Sequence, residues 1–338
     1  MFKLVGITQG RYVPSTRFRW TQYFDDLQKG GFEVFELPSL LGAYPPSSHM
    51  QRPIWLAAAL VEGFMRTVGS CKYSLRFLQR NLTSTLCTWE PLLRKPFVFD
   101  VDDAIFLGSR GDSSNRIAKS SSLIICGNDF LANHFTKFGA TVVLPTAIDT
   151  HRFQPGIDLS KKRQVIGWTG SSSNLQFLYQ IESALLIILL RYPDVVLKIV
   201  SDKAPLFEKL PPAQVIFEKW MPKREVAVLH EFDIGIMPLE DNLWARGKCS
   251  FKMLMYMSVA IPVVVSPVGM NLEILNQSNC GFGPKDQSEW VDALECLLTN
   301  TTLASVMGQE GRKLVELKYA KNIVGPKLAH ILKSQLSD

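Results

Sequence analysis

No uninterrupted apolar run in the sequence comes near the roughly 20 residues that a membrane-spanning helix needs. The six cysteines, at 71, 87, 126, 249, 280 and 296, form no CxxC pair and no metal-ligand spacing. That excludes a zinc ribbon or a disulfide framework and predicts reduced thiols in a cytosolic protein. Met1 leads straight into the strand-like KLVGIT, with no basic n-region, separate apolar core or small-residue cleavage site, so no secretory signal is read. The sequons at Asn81, Asn276 and Asn300 are then expected to carry no glycan. A zinc finger, a dense Lys/Arg tract and an aromatic stacking motif on a strand are all missing, which argues against nucleic acid as a partner. So are repeats of solenoid period and low-complexity tracts. What is there, 46% hydrophobic and 20% charged residues, is the composition of a globular protein. A length of 338 residues predicts two domains at roughly 100–200 residues each.

The formal charge of +6 is unevenly shared. Residues 1–145 hold 16 Lys and Arg against 11 Asp and Glu, whereas residues 146–338 hold 21 against 20. A basic first half points to an anionic partner such as a membrane surface or a phosphorylated substrate; mild charge for solubility is the alternative.

Two series of strand-then-helix signals run along the chain. LVGIT reads as a strand, FRWTQYFDDLQKGG as an amphipathic helix closed by Gly30-Gly31, and FEVFEL as the next strand. PFVFDVDD, SLIICGN and ATVVLPTAID continue the series. QPGIDLSKKRQ (154–164) is polar and carries Pro155-Gly156, which makes it the linker. The pattern then restarts with QVIGWTG, a long helix NLQFLYQIESALLIILLRY, VVLKIVSD, QVIFEKWM, the helix REVAVLHEF and DIGIMPL. A helix around FKMLMYMSVA, the strand IPVVVSP, and helices through 287–299 and 302–319 close it. Short apolar strands alternating with helices predict βαβ units and parallel sheets, whose ligands sit outside the carboxyl ends of the strands. The expected organisation is α/β, with domains at 1–153 and 165–319 and a C-terminal helix at 320–338 that packs back on the first domain.

The segment 246–274 carries the most chemistry. Arg246, Gly247, Lys248 and Lys252 crowd a predicted helix start, where free N–H groups and about half a positive charge already favour an anion. Gly247 would let a ligand approach the backbone, and the three cations add charge-assisted bonds. Together they describe a diphosphate site; a solvated basic helix start is the alternative.

PLEDNLWARGKCSFKMLMYMSVAIPVVVSPVGMNLEIL resembles the C-terminal signature of the retaining glycosyltransferases of group 1, the glycosyltransferase family 4-like enzymes, and within them the branch with a GKCxFKxLxYM stretch. PSTRFRW, FDVDDAIF, NDFLANHF, VVLPTAID and WTGSSSN extend the likeness along the chain. The resemblance implies the GT-B architecture, two Rossmann-like α/β domains facing each other across a cleft. It implies a nucleotide-diphosphate sugar held mainly by the second domain, an acceptor held by the first, retention of anomeric configuration, and no catalytic metal or other cofactor. The leaving diphosphate is then stabilised by Arg246, Lys248 and Lys252. Gly170, Ser171, Trp220, Gly247, Asn271 and Glu273 fall to the donor. Trp220 matches where relatives contact the base, a core Trp being the alternative.

Two departures stand out. Relatives often carry two glutamates eight positions apart across this helix start, the second on the nucleotide ribose; here the positions are Gly247 and Met255. Many also have Arg and Lys after the first strand of the second domain, where this chain has Trp168 and Ser171-Ser172-Ser173. The phosphate cations are then expected at 246–252.

In the first domain, Arg17 and Arg19 near the end of the first strand are expected to meet an anionic acceptor. FDVDD (99–103) ends a strand with three carboxylates; Asp103 is read as a proton acceptor and Asp102 as an acceptor contact, with a water-facing helix cap as the alternative. IWLAAALVEGFMRTV (54–68) reads as a buried helix or as one resting on a membrane surface. The expected function is transfer of a sugar to a glycan or lipid-linked glycan in cell-surface polysaccharide synthesis. The expected location is the cytoplasm, with peripheral contact at the inner membrane face. The alternative is a weakened relative that binds a sugar nucleotide or a partner without turnover, kept open by Met255.

Overall fold

Alternation of short apolar runs with helices builds two parallel six-stranded sheets. The structure, a computed structural model, describes residues 1–336 apart from 12, 43, 84, 109, 110 and 157–162. Residues 157–162 of the linker read at 154–164 thus lie outside the described residues. The chain divides into two units. One comprises Met1–Ala147, Arg246–Cys249 and Lys321–Asp338; the other comprises Ile148–Ala245 and Ser250–Ala320.

The first unit contains β1 (Phe2–Thr8), β2 (Phe32–Pro38), β3 (Leu75–Gln79), β4 (Phe97–Val101), β5 (Leu123–Cys126) and β6 (Thr141–Val143), in the order β2-β1-β3-β4-β5-β6. Ile7 of β1 lies beside Leu37 of β2 and Leu78 of β3, and Phe99 of β4 lies between Leu78 and Ile124. Strands covered on both faces read as continuous apolar runs, and Leu4, Phe77, Val98 and Ile125 are buried. The helix Lys321–Ser334 covers this core with Val324, Leu328 and Leu332.

The second unit contains β7 (Val165–Thr169), β8 (Val196–Ser201), β9 (Val215–Lys219), β10 (Ile234–Met237), β11 (Val263–Val265) and β12 (Gly281–Phe282), in the order β12-β11-β10-β7-β8-β9. Its core joins Ile166, Leu185, Leu197 and Ile236 to Leu294 of the helix Gln287–Thr299.

Two local expectations are corrected and one strand is added. The helix read over FRWTQYFDDLQKGG breaks at Trp20 into Pro14–Arg19, a single turn at Thr21–Tyr23, and Phe24–Lys29. Trp20 stacks on Phe77 at 4.8 Å and fills the space above Gly6, where a Cβ would come within 2.1 Å of the indole; packing overrides helical continuity. The long helix after β7 bends by 69° between Ser172–Gln180 and Glu182–Arg191. The strand β3 escaped the apolar pattern because Arg76 interrupts it. That guanidinium is buried, donating to the carbonyls of Ser70 (3.1 Å) and Cys71 (3.1 Å), so the strand still sits at the centre of the sheet.

Candidate active site

In the second sheet the strand order reverses at β7, which has β8 on one side and β10 on the other. The crevice outside the carboxyl ends of β7 and β10 is therefore where such a sheet accepts a ligand. β7 delivers Trp168, which is buried, then Thr169 and Gly170. The helix Phe251–Ser258 is fixed there by Tyr256, whose hydroxyl accepts the Thr169 N–H at 3.0 Å. On the same helix Lys252 places its ammonium 4.4 Å from the centroid of the Trp168 ring. A Cβ on Gly170 would lie 2.6 Å from Lys252 Nζ and 2.9 Å from the Trp168 ring, so glycine is what lets the lysine lie against the strand end. A cation over an indole face gains about 0.5–2 kcal/mol depending on its exposure. The result is a half-buried point charge with three N–H donors at the switch point of the sheet.

The loop after Gly170 is held from the next strand. Asp202, just past β8, accepts from the Ser172 N–H at 2.6 Å and from the Ser172 hydroxyl at 2.8 Å. Ser171 is exposed, 2.9 Å from Ser173 Oγ, and accepts from Asn174 Nδ2 at 2.8 Å. Partial burial works to raise the Asp202 carboxyl, but the two Ser172 donors outweigh it and hold it below the usual carboxylate range. A carboxyl depressed in the folded state stabilises above its unfolded value near 3.9 and loses that contribution as the pH falls through the folded one. The Ser172 amide should therefore lose hydrogen-exchange protection as the pH is lowered below about 4. Asp202→Asn should remove that pH dependence; the same acid profile in the variant would contradict it.

Trp220 follows β9 and is half-buried, its backbone N–H donating to Ser201 O at 2.9 Å. Glu273 is exposed on the helix Met270–Leu275, which starts after Gly269 at φ 54°.

In the first sheet the order reverses at β1, flanked by β2 and β3. Past the end of β3, Arg80 donates from Nε to Asp102 Oδ1 at 2.5 Å and from a terminal nitrogen to Asp103 Oδ2 at 3.4 Å. Burial acts to raise the Asp102 carboxyl, yet Arg80 prevails and holds it below the usual range. At Asp103 burial prevails over Arg80 and pushes the carboxyl up. Two adjacent carboxyls are thus driven apart.

Residues Arg246–Cys249 belong to this first unit. The Lys248 carbonyl accepts from Asn128 Nδ2 at 3.1 Å, and the Cys249 thiol donates to the Asp102 carbonyl at 3.2 Å. Arg246 is exposed and Lys248 half-buried. A Cβ on Gly247 would lie 2.5 Å from Ala104 Cβ and 3.0 Å from the Ala104 nitrogen. Gly247→Ala should therefore cost about 1–3 kcal/mol by overpacking, read as a lower urea midpoint at unchanged slope; an unchanged midpoint would show that the segment gives way.

A family model described as glycosyl transferases group 1 matches residues 163–300. The second unit carries a group 1 glycosyltransferase domain. No curated protein sequence matches the chain. Among solved structures, sucrose-phosphate synthase from Thermosynechococcus elongatus is 12% identical with a TM-score of 0.73, covering 99% of each chain. HepE from Anabaena, in complex with UDP and glucose, is 15% identical with a TM-score of 0.68, covering 99% of this chain and 100% of its own. WaaG, a glycosyltransferase involved in lipopolysaccharide biosynthesis, is 13% identical with a TM-score of 0.65, covering 97% and 99%. These likenesses establish the fold: two Rossmann-like α/β units of the GT-B architecture.

Within the glycosyltransferase domain, the structure brings Gly170 and Lys252 together and leaves Ser171, Trp220 and Glu273 with solvent exposure. Asn271, expected at the donor, opens the helix Met270–Leu275 as its second residue. It is fully buried, donating to Ser266 O at 3.1 Å, and its Oδ1 has no hydrogen-bond partner among the described residues. Arg19, expected at the acceptor, is held inside the first unit. Its guanidinium is buried on Asp100, at 2.9 and 3.0 Å from Nε, and on Leu144 O at 3.0 Å. Burial works against that charge, but Asp100 outweighs it and raises the guanidinium above its ordinary value. At Gly247, expected at the donor, a side chain would strike Ala104. Arg17 is half-buried, its guanidinium 4.9 Å from the Phe18 ring centroid. Sequence reasoning missed Arg80 and Asp202. Both directly follow a strand, so the rule that function sits past the carboxyl ends would have found them.

Proposed function

We propose that the chain transfers a sugar from a nucleotide-diphosphate donor to a glycan or lipid-linked glycan acceptor, with retention of configuration and without a catalytic metal. The carrying observation is Lys252 against Trp168 and Gly170, a cation seated at the switch point of the domain that the family model matches. HepE, which shares the fold, binds UDP and UDP-glucose, which supports a nucleotide sugar here. WaaG's part in lipopolysaccharide biosynthesis supports a cell-surface glycan as product. Lys252, with Arg246 and Lys248, would neutralise the charge that develops on the departing diphosphate. Gly170, Ser171, Trp220 and Glu273 would line the donor, and Arg17 and Asp102 the acceptor. Asp103, which burial pushes up from the usual carboxylate range, suits the acceptance of a hydroxyl proton.

A panel of nucleotide sugars, assayed for slow donor hydrolysis and for transfer, tests this reading. Turnover that survives EDTA supports it. Strict dependence on Mn or Mg, lost in Asp103→Asn, would replace it with a metal-assisted mechanism.

A second reading, binding without turnover, is favoured by Met255, which is buried where relatives place a ribose glutamate. Met255→Glu that tightens nucleotide-sugar binding while the natural chain turns over no donor would establish it. Since a buried unpaired carboxylate also costs stability, affinity is to be measured alongside melting temperature.

A further inference from the structure

The first unit carries a helix whose outer face the fold leaves uncovered. The helix Arg52–Gly69 turns Ala59, Gly63 and Thr67 inward. Met50 just before it, and Ile54, Val61, Met65 and Val68 along it, are more than half exposed. Ile54, Val61 and Met65 of this face line, with Leu40 and Leu41, an apolar groove of about 1010 Å³ that Arg11 and Glu62 also border. Exposed apolar side chains gathered on one face, as here, mark an interaction surface.

The charges around it are sorted in an informative way. Between residues 37 and 99 the chain has only two carboxylates, Glu62 and Glu90. Glu62 turns to the Leu40 N–H at 2.6 Å and the Ser39 hydroxyl at 3.1 Å. Glu90 is fully buried on the Leu82 N–H at 2.7 Å and the Thr88 N–H at 2.5 Å. The cations divide the other way. Arg66 and Arg76 are buried on backbone carbonyls and Arg80 is paired with Asp102 and Asp103, while Arg52, Lys72, Arg94 and Lys95 are exposed. Arg52 opens the helix, and Lys72 with Arg94, which reaches the Cys71 carbonyl at 3.5 Å, stands at its far end. The stretch therefore presents apolar side chains between positive ends, with its negative charge withdrawn.

We propose that this face docks on an anionic lipid surface. Aliphatic side chains enter the headgroup boundary while the exposed cations meet acidic headgroups. By length and composition residues 49–72 would also suffice to cross a bilayer. The contacts of the helix decide against crossing: Arg66 Nε donates to Leu37 O at 3.1 Å, and Trp89 Nε1 donates to Leu60 O at 2.8 Å. These bonds tie the helix to the sheet and to the following loop, so it lies along the unit's surface. A second copy is the weaker occupant. A two-fold contact would set the same four cations of both copies against each other with no exposed carboxylate of this stretch to answer them.

The docking does not rest on the transfer reading, because it is measured without donor or turnover. Full-length protein is sedimented with vesicles of phosphatidylcholine, with and without phosphatidylglycerol, at low and high salt. Binding to the anionic vesicles, weakened by salt, is expected. Ile54→Ser/Val61→Ser/Met65→Ser should abolish it. Arg94→Gln/Lys95→Gln, at exposed positions that folding does not need, should weaken it roughly fivefold per cation removed. Melting temperatures of both variants confirm folding. No sedimentation with anionic vesicles overturns the proposal, as does equal, salt-insensitive binding to neutral ones. A dimer by light scattering that the triple variant dissolves, without vesicle binding, would assign the face to a second copy instead.

Discussion

Arg19→Met should destabilise the protein by about 3–5 kcal/mol, because it leaves Asp100 as an uncompensated charge in the core. Asp100 is fully buried on β4, and Arg19 reaches it with Nε at 2.9 and 3.0 Å and with a terminal nitrogen at 2.5 Å. A loss of that size is a large fraction of the 5–15 kcal/mol that holds a domain folded. Urea titration at neutral pH reads it. Replacing both partners in Arg19→Met/Asp100→Leu should recover most of the loss, since a buried pair exchanged for apolar groups of similar volume is often close to neutral. The sign with pH follows. An unpaired buried carboxyl titrates above its unfolded value near 3.9, so its penalty is absent below that value and grows as the pH rises through the folded one. The single variant should thus approach the natural chain in stability as the medium is acidified toward pH 4. A single variant as stable as the natural chain at neutral pH would show that Asp100 relaxes to water or takes up a proton at little expense. A double variant no better than the single would place the energy in the packing.

Lys252→Ala should weaken binding of a nucleoside diphosphate or its sugar by about 1.5–3 kcal/mol, the range for hydrogen bonds to charged groups. Binding of the corresponding nucleoside should hardly change. The side chain lies on Trp168 and against Gly170, so its removal takes charge from the strand end without opening the core. Titration calorimetry with both ligands separates the cases. Equal losses for the two would mean that Lys252 shapes the pocket and does not hold the diphosphate. The complementary Gly170→Ala places a methyl 2.6 Å from Lys252 Nζ. The ammonium can swing away, but the same methyl would lie 2.9 Å from the buried Trp168 ring, so the substitution should weaken the diphosphate and lower the melting temperature together.

Much of the fold was legible because parallel strands covered on both faces must be apolar. Runs such as FVFDV and VVV appear in the sequence as they lie in the sheets. The rule that ligands sit past the carboxyl ends of such strands led to Gly170 and to FDVDD. Lys252 came from its place in a recognised segment. What was not legible lay in long-range pairing. Arg80 and Asp102 are 22 residues apart, and nothing local marks one as the other's partner. Asn271 and Glu273 occupy one short helix, and only its rotation decides that the first is buried and the second exposed.

The sequence by itself determined two α/β series, their strand runs, and the segment from 246 to 274 as the carrier of the family likeness. Apolar periodicity and turn residues are local, so they survive without coordinates. Tertiary structure alone decided how deeply each of three arginines lies and what it meets. Arg19 with Asp100 is sealed inside, Arg80 with Asp102 and Asp103 stands at a strand end, and Arg17 lies half-buried beside Phe18. It also decided that Gly247 answers to Ala104 whereas Gly170 answers to Lys252. Two glycines read alike in a sequence because a missing Cβ is informative only once the atoms that would strike it are in place.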